Sequence, residues 1–105
     1  MRKGRSMYTM IERRTINRER IQETVQRAQG EFFPTLQRAP GFVGFYLVTD
    51  EEHGINTAIV VWENKAQAEA FNAVGAGWLQ TLDELGHTLQ SDNRGETMIQ
   101  LEPPQ

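Results

Sequence analysis

The densest run of apolar positions lies between Pro40 and Phe71, PGFVGFYLVTDEEHGINTAIVVWENKAQAEAF. Residues 42–49 and 55–62 are rich in aromatic and β-branched side chains, which fit a pleated surface. Between them, Asp50-Glu51-Glu52-His53-Gly54 is polar and carries a glycine able to take φ > 0. This pattern predicts an antiparallel hairpin. Strict alternation puts Phe42, Gly44, Tyr46 and Val48 on one face of the first strand, and Val43, Phe45 and Leu47 on the other. In the second strand Ala58, Val60 and Trp62 oppose Thr57, Ile59 and Val61. A half-exposed strand alternates apolar with polar residues. Neither strand here does, so both faces of the hairpin call for cover.

Asn64 reads as a helix N-cap, with Gln67 completing a capping-box pattern. Phe71, Val74, Trp78, Leu82, Leu85 and Leu89 follow at steps of three and four, one apolar helical stripe. Gly75 and Gly77 interrupt it, and each costs up to about 1 kcal/mol inside a helix, which predicts a break or kink there. Upstream, residues 7–15 read as a strand and Asn17 as the cap of a second helix. That helix carries Ile21, Val25, Ala28 and Phe32 on one face. Gly30 and Pro34 predict that it runs to about Gln29, bends, and resumes over 34–38. Downstream, Ser91-Asp92-Asn93-Arg94-Gly95 reads as a turn, residues 96–101 as a last strand, and Pro103-Pro104 as its stop.

The order β-α-β-β-α-β is the ferredoxin-like α+β arrangement, with both helices on one face of an antiparallel sheet. The other face then carries an apolar patch of roughly several hundred Å2, which monomers seldom expose. The remedy expected is a homodimer through sheet-to-sheet packing.

At 105 residues the chain suits one domain, spanning 7–105 behind a disordered basic tail, residues 1–6. The absence of cysteine excludes disulfides and thiolate chemistry. No apolar run spans a membrane, and MRKGRS lacks the apolar segment of a secretory signal, so a cytoplasmic protein without membrane partners is expected. The net charge of −3 is uneven. Residues 1–38 hold nine Lys/Arg against four Asp/Glu, and the remainder holds two against ten. No nucleic-acid motif accompanies the basic third, which reads as a solvated helix face with no nucleic-acid partner. With two histidines and no carboxylates clustered at metal-ligand spacing, no metal is expected.

Pro40-Gly41-Phe42-Val43-Gly44, Val61-Trp62-Glu63-Asn64-Lys65 and the helical residues 68–71 resemble the antibiotic biosynthesis monooxygenase (ABM) domain family of dimeric α+β barrels. The resemblance covers residues 7–101. It implies a ferredoxin-like protomer in a homodimeric barrel. Some members are cofactor-free oxygenases of polycyclic phenols, others degrade haem, and many have no known activity. The haem-degrading branch places Asn, Trp and His where this chain has Arg13, Phe71 and Thr81 or Leu82, and His87 falls about six residues late. Haem degradation is therefore disfavoured.

The resemblance implies a cofactor-independent monooxygenase with a small aromatic ligand between sheet and helices. The alternatives are a non-catalytic small-ligand-binding or stress-associated homodimer, and a purely structural module. Pocket candidates are Tyr8, Tyr46, Trp62, Phe71, Trp78 and His87. The two tryptophans and Phe71 fit core packing as well as a pocket. Tyr46 could reach a cavity or water. His87, following Gly86 near a helix end, could carry a cation against the dipole.

Overall fold

The structure, a computed structural model, describes residues 7–104; the basic tail at 1–6 lies outside the described residues. Strand β1 is Tyr8–Thr15, followed by a single 3-10 turn, Arg18–Arg20. Helix α1, Ile21–Arg27, passes through a π-helical turn, Ala28–Phe32, into α2, Phe33–Gln37. Strands β2, Phe42–Asp50, and β3, Ile55–Trp62, form the hairpin. Helices α3, Lys65–Ala70, and α4, Asn72–Glu84, lead to β4, Thr88–Glu96. The sheet is antiparallel throughout, in the order β2-β3-β1-β4. This is the ferredoxin-like α+β fold. No helix among the described residues is long and apolar enough to cross a membrane.

The hairpin forms where its residues predict. Asp50 accepts from the His53 N–H at 3.1 Å, and Gly54 turns the chain back at φ +67°. The faces of β2 differ from strict alternation. Phe42 pairs with Trp62 and Gly44 with Val61, so Val43 is an extra residue in a β-bulge. The bulge moves Phe42 onto the face of Phe45 and Leu47, leaving Gly44, Tyr46 and Val48 opposite. Phe42 and Phe45 thus both pack on the buried cluster of Tyr8, Leu36, Trp62 and Ala68.

The first helix does not end at Gln29. Pro34 has no N–H to give to Gly30, four residues back, and its ring crowds that carbonyl. The helix widens by one residue instead: Phe33 N–H bonds the Ala28 carbonyl, five residues back. The segment stays helical, and both Phe32 and Phe33 reach the sheet, each in ring contact with Phe45.

The break expected at Gly75 and Gly77 lies at Phe71 instead. Phe71 N–H is shared between the carbonyls of Gln67 and Ala68, while α4 runs unbroken through both glycines. A Cβ on Gly75 would sit 3.1 Å from the Phe71 ring, so this glycine makes room for an aromatic rather than a bend. Asn64 caps α3 as expected, accepting from Gln67 N–H at 2.9 Å. The return half of the capping box is absent: Gln67 Oε1 is sealed without a partner, and a Cβ on Gly41 (φ +82°) would collide with it.

The last strand starts eight residues before the expected 96–101 and ends five before it, and it contains the supposed turn 91–95. Leu89 belongs to this strand, not to the helical stripe. The reason is tertiary. Helix α4 ends beside the far end of β1, so pairing starts at Thr15–Thr88 and is used up at Tyr8–Glu96. A bulge at Gln90 absorbs the polar residues. Beyond the last rung, Thr97 N–H to Met7 O, the chain leaves the sheet, with Ile99 and Leu101 exposed.

Gly77 is exposed in mid-helix with open space around its Cα. Gly77→Ala should stabilise the protein by about 0.5–1 kcal/mol in urea unfolding. Gly75→Ala should not show this gain, because Phe71 has to move.

Candidate functional site

Strand β1 alternates Tyr8, Met10, Glu12 and Arg14 toward the helices. Arg14 is only 6% exposed. Its Nε donates to Glu12 Oε1 at 2.8 Å, and its Nη1 donates to Asp83 Oδ1 and to the His87 carbonyl, both at 2.7 Å. Burial works against the guanidinium charge, but the hydrogen bonds to Glu12 and Asp83 outweigh it and hold the pKa above its ordinary value. Arginine's planar fork suits such a buried, multiply bonded position.

The end of α4 is shaped around the same knot. Gly86 (φ +90°) donates to the Asp83 carbonyl at 3.0 Å and His87 N–H to the Leu82 carbonyl at 3.0 Å, a complete Schellman cap. A Cβ at Gly86 would meet Asn17 Nδ2 at 2.6 Å. Asn17 caps the 3-10 turn, donates from Nδ2 to the Leu85 carbonyl at 2.8 Å, and donates its backbone N–H to His87 Nδ1 at 3.0 Å. Since Nδ1 accepts, the His87 proton sits on Nε2 and is donated to Thr24 Oγ1 at 2.7 Å. Thr24 in turn donates its O–H to the Arg20 carbonyl at 2.7 Å. His87 is 5% exposed, and burial, then the charges of Arg14 and Arg20, lower its pKa. It is a neutral, fully bonded imidazole rather than a cation facing the helix dipole.

Beside this knot lies a cavity of about 340 Å3 between sheet and helices. Most of its wall is apolar, including Met10, Phe32, Phe45, Trp62, Phe71 and Trp78. Phe32 stacks on Trp78 at 5.1 Å and 8°, and Trp62 lies 5.2 Å from Phe71. The polar end is formed by Glu12, Arg14, Thr24, Asn56 and His87. Asp92 and Arg94, also on the wall, pair with each other at 2.9 Å.

Of the residues singled out in the sequence, Trp62, Phe71, Trp78 and His87 come together on this wall. Tyr8 is buried in the adjoining core, 6% exposed, and is not part of the lining. Tyr46 is 59% exposed on the opposite face of the sheet. There it pairs with Ile59, which in turn pairs with Ile11. Trp62 Nε1 is buried without a partner. Arg14, Phe32 and Phe45 were missed. Arg14 was legible only as a charge in step with Tyr8 and Met10. No group of three or more potential metal ligands occurs among the described residues.

No family model and no curated protein matches the chain. Solved structures do share its fold. A Deinococcus radiodurans protein provisionally named an antibiotic biosynthesis monooxygenase superposes with a TM-score of 0.74 at 12% identity, covering 93% of this chain and 99% of that one. One from Nitrosomonas europaea, named likewise, gives 0.66 at 13%, with 92% and 93% covered. A variant of SnoaB, a cofactor-independent oxygenase from Streptomyces nogalater, gives 0.61 at 19%, with 94% and 98% covered. The structural resemblance is therefore to antibiotic biosynthesis monooxygenase structures, and at these identities it establishes the fold.

The His87 pKa is lowered from 6.5, so between 6.5 and the folded value the unfolded chain binds more protons than the native one. The His87 contribution to stability should be fully present above the ordinary histidine pKa and be lost as pH falls from 6.5 through the lower folded value. Thermal unfolding of His87→Gln should be less stable at pH 7.5 but lose most of this slope. A wild-type-like slope in the variant would remove the assignment.

Proposed function

We propose that the cavity binds an electron-rich, fused-ring phenol or quinol and that the protein is a cofactor-independent monooxygenase acting on it. The observation that carries this reading is the aromatic wall, Phe32, Phe45, Trp62, Phe71 and Trp78, around a space of about 340 Å3. That volume lies within the range of small-molecule pockets, and the linked group Glu12, Arg14, His87 and Thr24 makes one part of its wall polar, which would fix a ligand's orientation. The cofactor-independent oxygenase with the same fold supports the same reading.

The chemistry needs little from the protein. A phenolate or enolate moved from water into an apolar cavity loses its hydration and becomes a stronger reductant. It gives one electron to O2, the radical pair closes a C–O bond, and the hydroperoxide loses water to leave a quinone carbonyl. One oxygen atom enters the product and the other leaves as water. Phe32 and Trp78 offer a stacking surface, while Trp62 and Phe71 hold the ring edge-on. His87 is not assigned as a base, because both its ring nitrogens are already bonded.

That last observation also favours a second reading, a non-catalytic binder of the same aromatic class. Oxygen consumption with a panel of anthrones and quinols separates the two. The oxygenase should consume O2 in proportion to substrate. Trp78→Leu should lower kcat/KM by about three- to tenfold, the worth of one aromatic contact, with less effect on melting temperature. Ligand-raised melting without O2 uptake would leave only the binder.

We also propose that two copies pack through the open sheet face. Ile11, Ile59 and Val61 lie there beside Tyr46 and Val48, which are 59% and 55% exposed. A two-fold pair would cover the patch. Native mass spectrometry should give a dimer, and Val48→Glu, outside the protomer core, should give a folded monomer. A wild-type monomer at micromolar concentration would overturn the pairing.

A further inference from the structure

Arg14 has five N–H groups, and three are spent: one on Glu12, one on Asp83 and one on the His87 carbonyl. Among the described residues nothing accepts from Nη2. Two polar side-chain atoms of the described residues are sealed without partners, Trp62 Nε1 and Gln67 Oε1. Nη2 is not one of them, so it keeps access to open space, and the space that Arg14 lines is the cavity. A guanidinium 94% withdrawn from solvent and held by three bonds therefore keeps two N–H groups without a protein acceptor on the polar part of the cavity wall.

We propose that Arg14 is a ligand-orienting residue whose Nη2 donates to a carbonyl oxygen on the aromatic ligand. This rests on the ligand pocket proposed above. Charge balance selects the acceptor. Glu12 and Asp83 already supply two carboxylates against one guanidinium, so a third anion such as a carboxylate-bearing ligand would enter a site with no charge left to meet it. A neutral carbonyl takes the two N–H groups without that opposition, since an unmade bond at such a donor is costly. The Asp83 and His87 contacts fix the fork, so the carbonyl direction is set by the protein before the ligand arrives.

The test compares anthrone with 9,10-dihydroanthracene, which shares the three-ring frame but has CH2 in place of C=O. Both are titrated without O2, following tryptophan fluorescence. Anthrone should bind about tenfold more tightly once the difference in water-to-octanol transfer is removed, the worth of a hydrogen bond to a charged donor. Arg14→Met should level the two affinities, and Arg27→Met, which lies outside the cavity wall, should not. Arg14→Met leaves Glu12 without its partner and is prone to misfold. The wild type therefore carries an independent readout. The infrared stretch of 13C-carbonyl anthrone should fall below its value in hydrocarbon solvent on binding. Equal wild-type affinities, an unshifted stretch, or loss of the preference in Arg27→Met would overturn the assignment. Binding of neither ligand would overturn the pocket reading itself, and this one with it.

Discussion

A positive charge placed out of reach of water has to be satisfied by the protein, and Arg14 imposes that condition on three separate parts of the chain. Its partners are a neighbour on β1, a carboxylate near the end of α4, and a carbonyl just past that end. The Asp83 carboxylate is 64% exposed and its pair with Arg14 is screened, but the buried bond from Arg14 to the His87 carbonyl resists any slide of the helix along the sheet. The Schellman cap, the positive φ of Gly86 and the buried neutral His87 follow from the requirement that α4 stop where its last carbonyls meet β1 and Asn17.

With α4 pinned at one end and the π-helical turn pushing Phe32 and Phe33 inward at the other, the layers cannot close fully on each other. The chamber between them is what remains. Its aromatic lining comes from every layer: Trp78 from α4, Phe32 from the π turn, Phe45 and Trp62 from the sheet, and Phe71 from the hinge between α3 and α4. Gly75 belongs to the same accommodation, since a methyl group there would press on the Phe71 ring. The polar end and the apolar end are thus two sides of one packing problem.

Features determined by neighbouring residues were legible in the sequence. The hairpin limits, the caps at Asn17 and Asn64 and the order of elements all depend on local pattern, and they stand as read. Features set by distant partners were not. The bulge at Val43 is fixed by what Phe42 must bury, and it reverses the parity of one residue. The place of β4 is fixed by where α4 ends, which overrode the turn character of residues 91–95. The site was half visible. Trp62, Phe71 and Trp78 lie on the wall, whereas Tyr46 faces away, because a strand position alone does not say which face the helices cover. His87 was noticed as a possible cation, but only the N–H of Asn17, seventy residues away, determines that it is neutral.

The bond between Asn17 and the loop after α4 also has a meaning in time. During synthesis β1 and the first helix leave the ribosome long before Leu85 and His87 exist. Strand β1 is central, and both of its neighbours, β3 and β4, are made later. Closing contacts over such separations makes folding slow relative to a locally paired chain. Strand β1 and Asn17 therefore lack these partners until the last strand has been made, so the contacts that seat the end of α4 are among the last the chain can form.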